Sequence, residues 1–193
     1  RVEVPKLLER GLSAGRIPLE AGVRKVIFGD NLEVLASLPD AFASLIYVDP
    51  PFNTGRVQKR NRIKARSTDG PGDRGGFGGR RHKVERVESS EHYVDSFEDF
   101  ELFLMPRIEA ALHCLTKTGS LFVHLDFREV HYIKVALDRL LGRDCFVNEL
   151  IWAYDYGGRP RSRWPAKHDT ILWYALDPDD YTFNYQEIDR IPY

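Results

Sequence analysis

Asp49, Pro50, Pro51 and Phe52 are consecutive residues whose types suit one chemistry, the holding of a planar group by its amino hydrogens. The Asp49 carboxylate accepts protons. Proline fixes φ and has no N–H, so the Pro50–Pro51 pair enforces a stiff, extended stretch that cannot fold back into a helix ladder. Its carbonyl oxygens therefore stay free, beside the carboxylate, to receive hydrogens from an amine. Phe52 adds a flat face on which a planar group stacks. The apolar run Leu45–Val48 just upstream reads as a buried strand. It delivers acid, prolines and ring to its carboxyl end, where ligands bind in open α/β sheets.

The flanking pattern predicts the elements that position this tip. Residues 1–22, with Pro5 and Pro18, show no period and read as an N-terminal arm. Val26-Ile27-Phe28 reads as a short strand, and Asp30 as the cap of a helix over Leu32–Leu38 with Leu32, Leu35 and Leu38 inward. A second helix is expected from Ser96 to Thr116, opened by a Ser96/Asp99 capping box, kinked or divided at Pro106 and ended by Gly119. Ser120–Leu125 is a strand. An Asp126/Glu129 capping box then starts a helix striped by Val130, Ile133, Leu137 and Leu140 and stopped at Gly142. Phe146–Ala153 and Thr170–Ala175 complete the strands. The alternation predicts an α/β sheet rich in parallel pairs. His124 sits near a strand end and reads as a histidine satisfied by its neighbours rather than as a base, with Asp126 as a helix cap.

Asp-Pro-Pro-aromatic resembles the catalytic motif of amino methyltransferases acting on exocyclic nitrogens of nucleic-acid bases. Gly29-Asp30-Asn31 together with Leu45–Gly55 resembles the permuted (beta) group of bacterial DNA methyltransferases, in which the catalytic half precedes the cofactor half. The resemblance covers residues 23–178 and implies a Rossmann-like methyltransferase sheet flanked by helices. It also implies S-adenosylmethionine as cofactor, DNA as partner and base flipping as the mode of access. By this resemblance Asp49, Pro50, Pro51 and Phe52 are catalytic. Asp30 lies near the cofactor adenine and Asp49 near the methyl group. Phe52, Asn53, Tyr154 and Trp152 meet the target base. An Asp at the first motif position implies adenine N6, where Ser would suggest cytosine N4. Lys167-His168-Asp169 also resembles the family but carries no assigned role.

Charge is unevenly spread. The 193 residues carry a net charge of −1, yet Arg56–Arg86 hold eleven Lys/Arg against three Asp/Glu, a balance of +8 that leaves −9 for the rest. Residues 55–91, rich in glycine, read as a mobile basic loop that orders on phosphates. Arg56, Lys59, Arg60, Arg62, Arg80 and Arg81 are its candidate DNA contacts. Arg159, Arg161 and Arg163, interleaved with Pro160 and Trp164, form a second basic patch suited to backbone contacts and stacking. Gly75-Gly76-Phe77-Gly78-Gly79 superficially resembles a methyltransferase cofactor loop. No apolar strand leads into it, so it is not read as one.

No apolar run approaches the ~20 residues that span a membrane. No signal-peptide pattern opens the chain. Cys114 and Cys145 have no metal-ligand spacing and read as buried thiols of a reducing cytoplasm; no metal site is expected. The resemblance implies a bacterial or archaeal, nucleoid-associated protein. The tail, 179–193, lacks the glycine-rich cofactor loop of the permuted enzymes, and the chain starts at Arg1 rather than Met. The expectation is an incomplete methyltransferase fold whose cofactor half lies elsewhere, acting as a homodimer or with a restriction-modification partner subunit. A non-catalytic nucleic-acid-binding subunit and a cytosine-N4 or RNA-base methyltransferase are the competing expectations.

Overall fold

The strand that carries the Asp-Pro-Pro motif, β1 (Ala43–Val48), lies at one edge of a four-stranded sheet. The sheet belongs to a computed structural model that describes residues 22, 24–59, 62–68, 74–75, 81–87, 92–155 and 160–188, by backbone alone from 58 to 94. The described residues fall into two compact units. One is built from residues up to Phe52 and from Asp99 onward, the other from Asn53–Glu98.

In the first unit the sheet order is β1, β7 (Leu115–Leu125), β9 (His168–Ala175), β8 (Phe146–Ala153). β1 pairs with β7 in parallel, Val48 opposite Val123. β9 runs antiparallel to both neighbours, with Leu125 opposite Thr170 and Ala153 opposite His168. The sheet is thus mixed, where the pattern of alternation predicted mainly parallel pairs. Residues 154–167 join β8 to β9 with no helix among the described ones, and β9 returns beside β8 as its antiparallel neighbour. As a result the carboxyl ends of β1, β7 and β8 and the amino end of β9 share one sheet edge.

Alternation along the strands sends Leu121, Val123, Leu125, Leu172 and Tyr174 to a buried face. Phe100, Leu104, Ile108 and Ala111 of α2 (Phe100–Leu112) and Val130, Ile133 and Leu137 of α3 (Val130–Leu141) complete the core. Burying each large side chain is worth about 1.5–3 kcal/mol. The Tyr174 hydroxyl donates to Asp138 Oδ1 at 2.8 Å, fastening β9 to α3. Residues of opposite parity line the other face, where Phe122 stacks on Trp173 at 5.4 Å and Tyr181 and Phe183 pack on Trp173.

Several element boundaries differ from expectation. Val26–Phe28 is not a strand: Val26 and Phe28 are exposed and no described strand pairs with them. Helix α1 spans Asn31–Ala36, shorter than expected, and its buried residue is Val34 rather than Leu32. Asp30 does cap it, Oδ1 accepting from Leu32 N at 2.9 Å. Helix α2 starts after Asp99, whose own carboxylate takes Leu102 N at 2.8 Å, so no Ser96 box forms. Pro106 sits inside an unbroken helix; the residue whose carbonyl lacks that N–H, Leu102, is exposed. The helix ends at Leu112, not Gly119, because Leu115 already pairs with Ala43 and the β-branched Thr116 and Thr118 favour extended backbone. Gly119 lies within β7, where a Cβ would come within 2.9 Å of Thr116 O. Before α3, Asp126 Oδ1 accepts from Arg128 N rather than capping with Glu129, and Leu140 is part-exposed. Gly142 ends α3 at φ 92°, as its position predicts. Cys114 is buried and Cys145 half-buried, both free thiols.

The second unit holds strands where a structureless loop was expected. β2 (Arg56–Lys59) pairs antiparallel with β6 (His92–Asp95). β3 (Arg62–Thr68) pairs antiparallel with β5 (Arg81–Val87), which also takes the short β4 (Arg74–Gly75). The register sets Arg66 opposite Lys83 and Thr68 opposite Arg81, and the β3 sequence carries a cation at every second position from Arg62 to Arg66. That two-residue period was present in the sequence and was masked by the glycines around it.

Candidate active site

β1 ends in a stiff tip, and its four residues do not share one environment. The Asp49 side chain is 61% exposed, so the carboxylate faces outward and not into the core. Pro50, Pro51 and Phe52 are half-buried. On one side the tip borders a cavity of about 340 Å³. Leu35, Ile46 and Ile108 give it apolar walls, while Asn31 and Arg107 bring polar groups. Arg107 is held in place three ways: Nε donates to Asn31 Oδ1 at 2.8 Å, Nη1 to Phe103 O at 2.8 Å, and Nη2 lies 3.4 Å from Asp30 Oδ2. Asp30 therefore caps α1 and meets Arg107 at once.

On the other side stands His124, which the sequence reading set aside. Its Nδ1 is 2.8 Å from the Tyr47 hydroxyl and 3.8 Å from Asp49 Oδ1. Phe52 packs on its ring at 5.5 Å. Its Nε2 is buried without a hydrogen-bond partner among the described residues and points across 3.7 Å to Asp169 Oδ2. Asp169 Oδ1 in turn accepts from the Tyr154 hydroxyl at 3.3 Å. Burial, and then the charge of Asp49, push the Tyr47 phenol up, so this hydroxyl keeps its proton near neutrality. Burial likewise raises Asp126, against the opposing pull of Arg128.

The structure thus gathers Asp49, Phe52 and Tyr154 at one sheet edge and adds Tyr47, His124 and Asp169. The signal for the additions was parity: Tyr47 pairs with Phe122, and His124 lies two residues further along the same face. Asp169 stood in the Lys167-His168-Asp169 stretch that had no assigned role. Trp152 on β8 is 60% exposed, paired in register with Asp169. Within the second unit, Asn53 takes a left-handed φ of 52° and is tied down. Its N–H and the Thr54 hydroxyl both donate to the buried carboxylate of Asp95, at 2.8 and 2.5 Å. Its own Oδ1 accepts from Phe97 N.

Of the cationic candidates, Arg56, Arg161 and Arg163 are exposed, and Lys59, Arg62 and Arg81 lie in strands described by backbone. Arg60, Arg80 and Arg159 fall outside the described residues, as do the 1–21 arm and most of the Gly75–Gly79 run. Among the described residues no group of three or more His, Cys, Asp or Glu is placed to hold a metal ion, and no helix is long and apolar enough to cross a membrane.

The family model for N6/N4 DNA methylases matches residues 43–192, and the chain belongs to that family. It is 28% identical over 159 residues to the Mod subunit of the type III restriction-modification enzyme EcoP15I of Escherichia coli, covering 80% of this chain and 24% of that protein. It is 25% identical over 184 residues to the type II methyltransferase M.KpnI of Klebsiella pneumoniae, covering 89% and 39%. The StyLTI Mod subunit of Salmonella typhimurium is 29% identical over 131 residues, covering 64% and 19%. The chain spans well under half the length of each of these relatives.

Proposed function

We propose that this chain supplies the target-base half of a methyltransferase that moves a methyl group from S-adenosylmethionine to the N6 amino group of adenine in DNA. The observation that carries the reading is the outward Asp49 carboxylate at the carboxyl end of β1, with a cavity on one side and ring side chains on the other. S-adenosylmethionine, when bound, supplies an electrophilic methyl group on a sulfonium. The cavity residues fit part of it: Leu35, Ile46 and Ile108 suit its apolar stretches, and Asn31 and Arg107 offer hydrogen bonds to its polar ends. Asp30, steadied by Arg107, stands ready for the adenine portion.

An amine conjugated to an aromatic ring is a poor nucleophile because its lone pair is delocalised. Asp49 and the Pro50 carbonyl hold the two amino hydrogens, which favours a pyramidal nitrogen and frees the lone pair for in-line attack. This is positioning plus electrostatic stabilisation. The nitrogen sheds its proton afterwards, to Asp49 or to water. Extruding the base from a duplex costs a few kcal/mol, offset by stacking in the pocket. Phe52, Tyr154 and Trp152 are the rings for it, with Asn53 shaping the chain just beyond. The cationic ladder of β3 and β5, with Arg56, Arg161 and Arg163, supports phosphate contacts. The Asp at the head of the motif favours adenine over cytosine. The Mod-subunit names of the relatives support a restriction-modification setting with a partner subunit.

The test is transfer of labelled methyl groups to DNA by the full-length protein. Asp49→Ala is expected to lower the rate by roughly 10²–10³-fold or more. Unchanged transfer would end the catalytic assignment. Mass analysis of the nucleosides is expected to give N6-methyladenine; N4-methylcytosine would replace the adenine reading with the cytosine one.

A further inference from the structure

We propose that His124 is the positioning residue of this site: one imidazole fixes Tyr47 and Phe52 on one side and faces Asp169, which holds Tyr154, on the other. The two rings that flank the base thereby keep one spacing. The inference rests on the methyl-transfer reading above, but its geometry is independent of it.

His124 is only 15% exposed and has a distinct neighbour in each direction. Nδ1 meets the Tyr47 hydroxyl at 2.8 Å. The ring face carries Phe52, at 5.5 Å and tilted by 60°. Nε2 is buried and faces Asp169, whose side chain is 16% exposed. A neutral imidazole has one N–H, and the surroundings choose its place. Both ring nitrogens face a carboxylate, Asp49 at 3.8 Å and Asp169 at 3.7 Å. Asp169 is much the less exposed of the two, so its field is less screened by water. The proton therefore belongs on Nε2, toward Asp169, and Nδ1 accepts from the Tyr47 hydroxyl. With that tautomer, Tyr47 on β1, His124 on β7 and Asp169 at the start of β9 form one line across three strands, extended by Tyr154 after β8. Removing the imidazole leaves Asp49 and its carbonyl neighbours in place but unlocks the ring that should sit on the base. The loss should fall on turnover more than on cofactor binding, because neither His124 nor Phe52 lines the cavity.

Two readouts test this. Histidine ¹⁵N spectra of this chain report the tautomer without any turnover: an Nε2-protonated ring is expected for His124, and an Nδ1-protonated ring would overturn the inference. In the full-length protein, His124→Ala is expected to lower kcat by roughly 10²-fold, the scale of a misplacement of about 1 Å, with little change in KM for S-adenosylmethionine. His124→Asn, whose amide oxygen can still accept from Tyr47, should regain part of that loss. An unchanged kcat, or a loss confined to KM, overturns the proposal. Should His124→Ala fail to fold, Tyr47→Phe reads the same contact at a half-exposed position, where a fall in kcat supports the inference and an unchanged kcat overturns it. Transfer that survives Asp49→Ala brings down the proposed function and this inference with it. A wrong tautomer alongside an inactive Asp49→Ala brings down the inference alone.

Discussion

The sheet contains two polar networks built from similar parts, and they differ in completeness. Beneath α3, Tyr174, Asp138 and Lys134 close on one another. The Tyr174 hydroxyl donates to Asp138 at 2.8 Å, and the Lys134 ammonium reaches both carboxylate oxygens at 2.7 and 2.8 Å. Lys134 also lies 3.9 Å over the Phe146 ring. At the other end of β9, the line through Tyr47, His124, Asp169 and Tyr154 has a 2.8 Å contact, a 3.7 Å gap and a 3.3 Å bond, and a second gap of 3.8 Å separates His124 from Asp49. Among the described residues it also keeps an imidazole nitrogen without a hydrogen bond, beside an outward carboxylate. Buried polar groups are normally satisfied, and exceptions call for an explanation. The closed network holds the fold. The open one has hydrogen-bonding capacity left over, as a site awaiting a substrate should.

The contrast is sharpest in stability. Asp138→Ala takes the carboxylate from the Lys134 ammonium and leaves the Tyr174 hydroxyl only its 3.3 Å contact with the Lys134 carbonyl, and is expected to cost about 1–3 kcal/mol in urea unfolding. Asp49→Ala, at an exposed position, should stay within about 0.5 kcal/mol of the parent while removing activity. Equal losses from the two changes would break the comparison. Next in size, Leu35→Trp should fill part of the cavity beside Asp49 and weaken S-adenosylmethionine binding about tenfold, or about 1.4 kcal/mol, by calorimetry. The His124 tautomer should not change, since His124 does not line that cavity. Tyr154→Phe, which loses a 3.3 Å bond to Asp169, should cost no more than about 1 kcal/mol of stability.

The smallest effect is one of pH. Burial raises the Asp138 carboxyl, but Lys134 and the Tyr174 hydroxyl outweigh it and leave the group below its ordinary 3.8. A carboxylate depressed in the folded state adds stability above its unfolded pKa and loses it as pH falls through the folded value. The contribution should therefore be complete at neutral pH and vanish on acidification below 3.8, and Asp138→Asn should flatten that part of the melting profile. Burial and the Asp138 bond hold Tyr174 far above its usual range, so it stays neutral throughout.

The tip itself was legible from sequence because Asp49-Pro50-Pro51-Phe52 is local: its geometry follows from two prolines and a strand. So were β8, the Gly142 stop and the Asp30 cap, each set by neighbouring residues. What was not legible depends on pairing at a distance. Nothing near His124 announces that Tyr47, 77 residues earlier, will hydrogen-bond to it. Asp95 likewise has nothing beside it in the sequence that marks it, yet it is buried and anchors Asn53 and Thr54 from 42 and 41 residues away. Gly119 looked like a helix stop because glycine often is one; here close backbone approach requires it inside a strand. The strands within 55–91 were hidden because glycine-rich composition weighed more than the alternation of arginines and lysines.

β1 carries the Asp49-Pro50-Pro51 tip and is also the outermost strand of its sheet, with no ladder partner on its far side among the described residues. Leu45 and Tyr47 are half exposed along it. A bare strand rim of this kind is a template for association. Handling of the isolated chain should therefore be governed by concentration: dilute samples stay dispersed, while concentrated ones pair rim to rim and mask the acid at the strand's end.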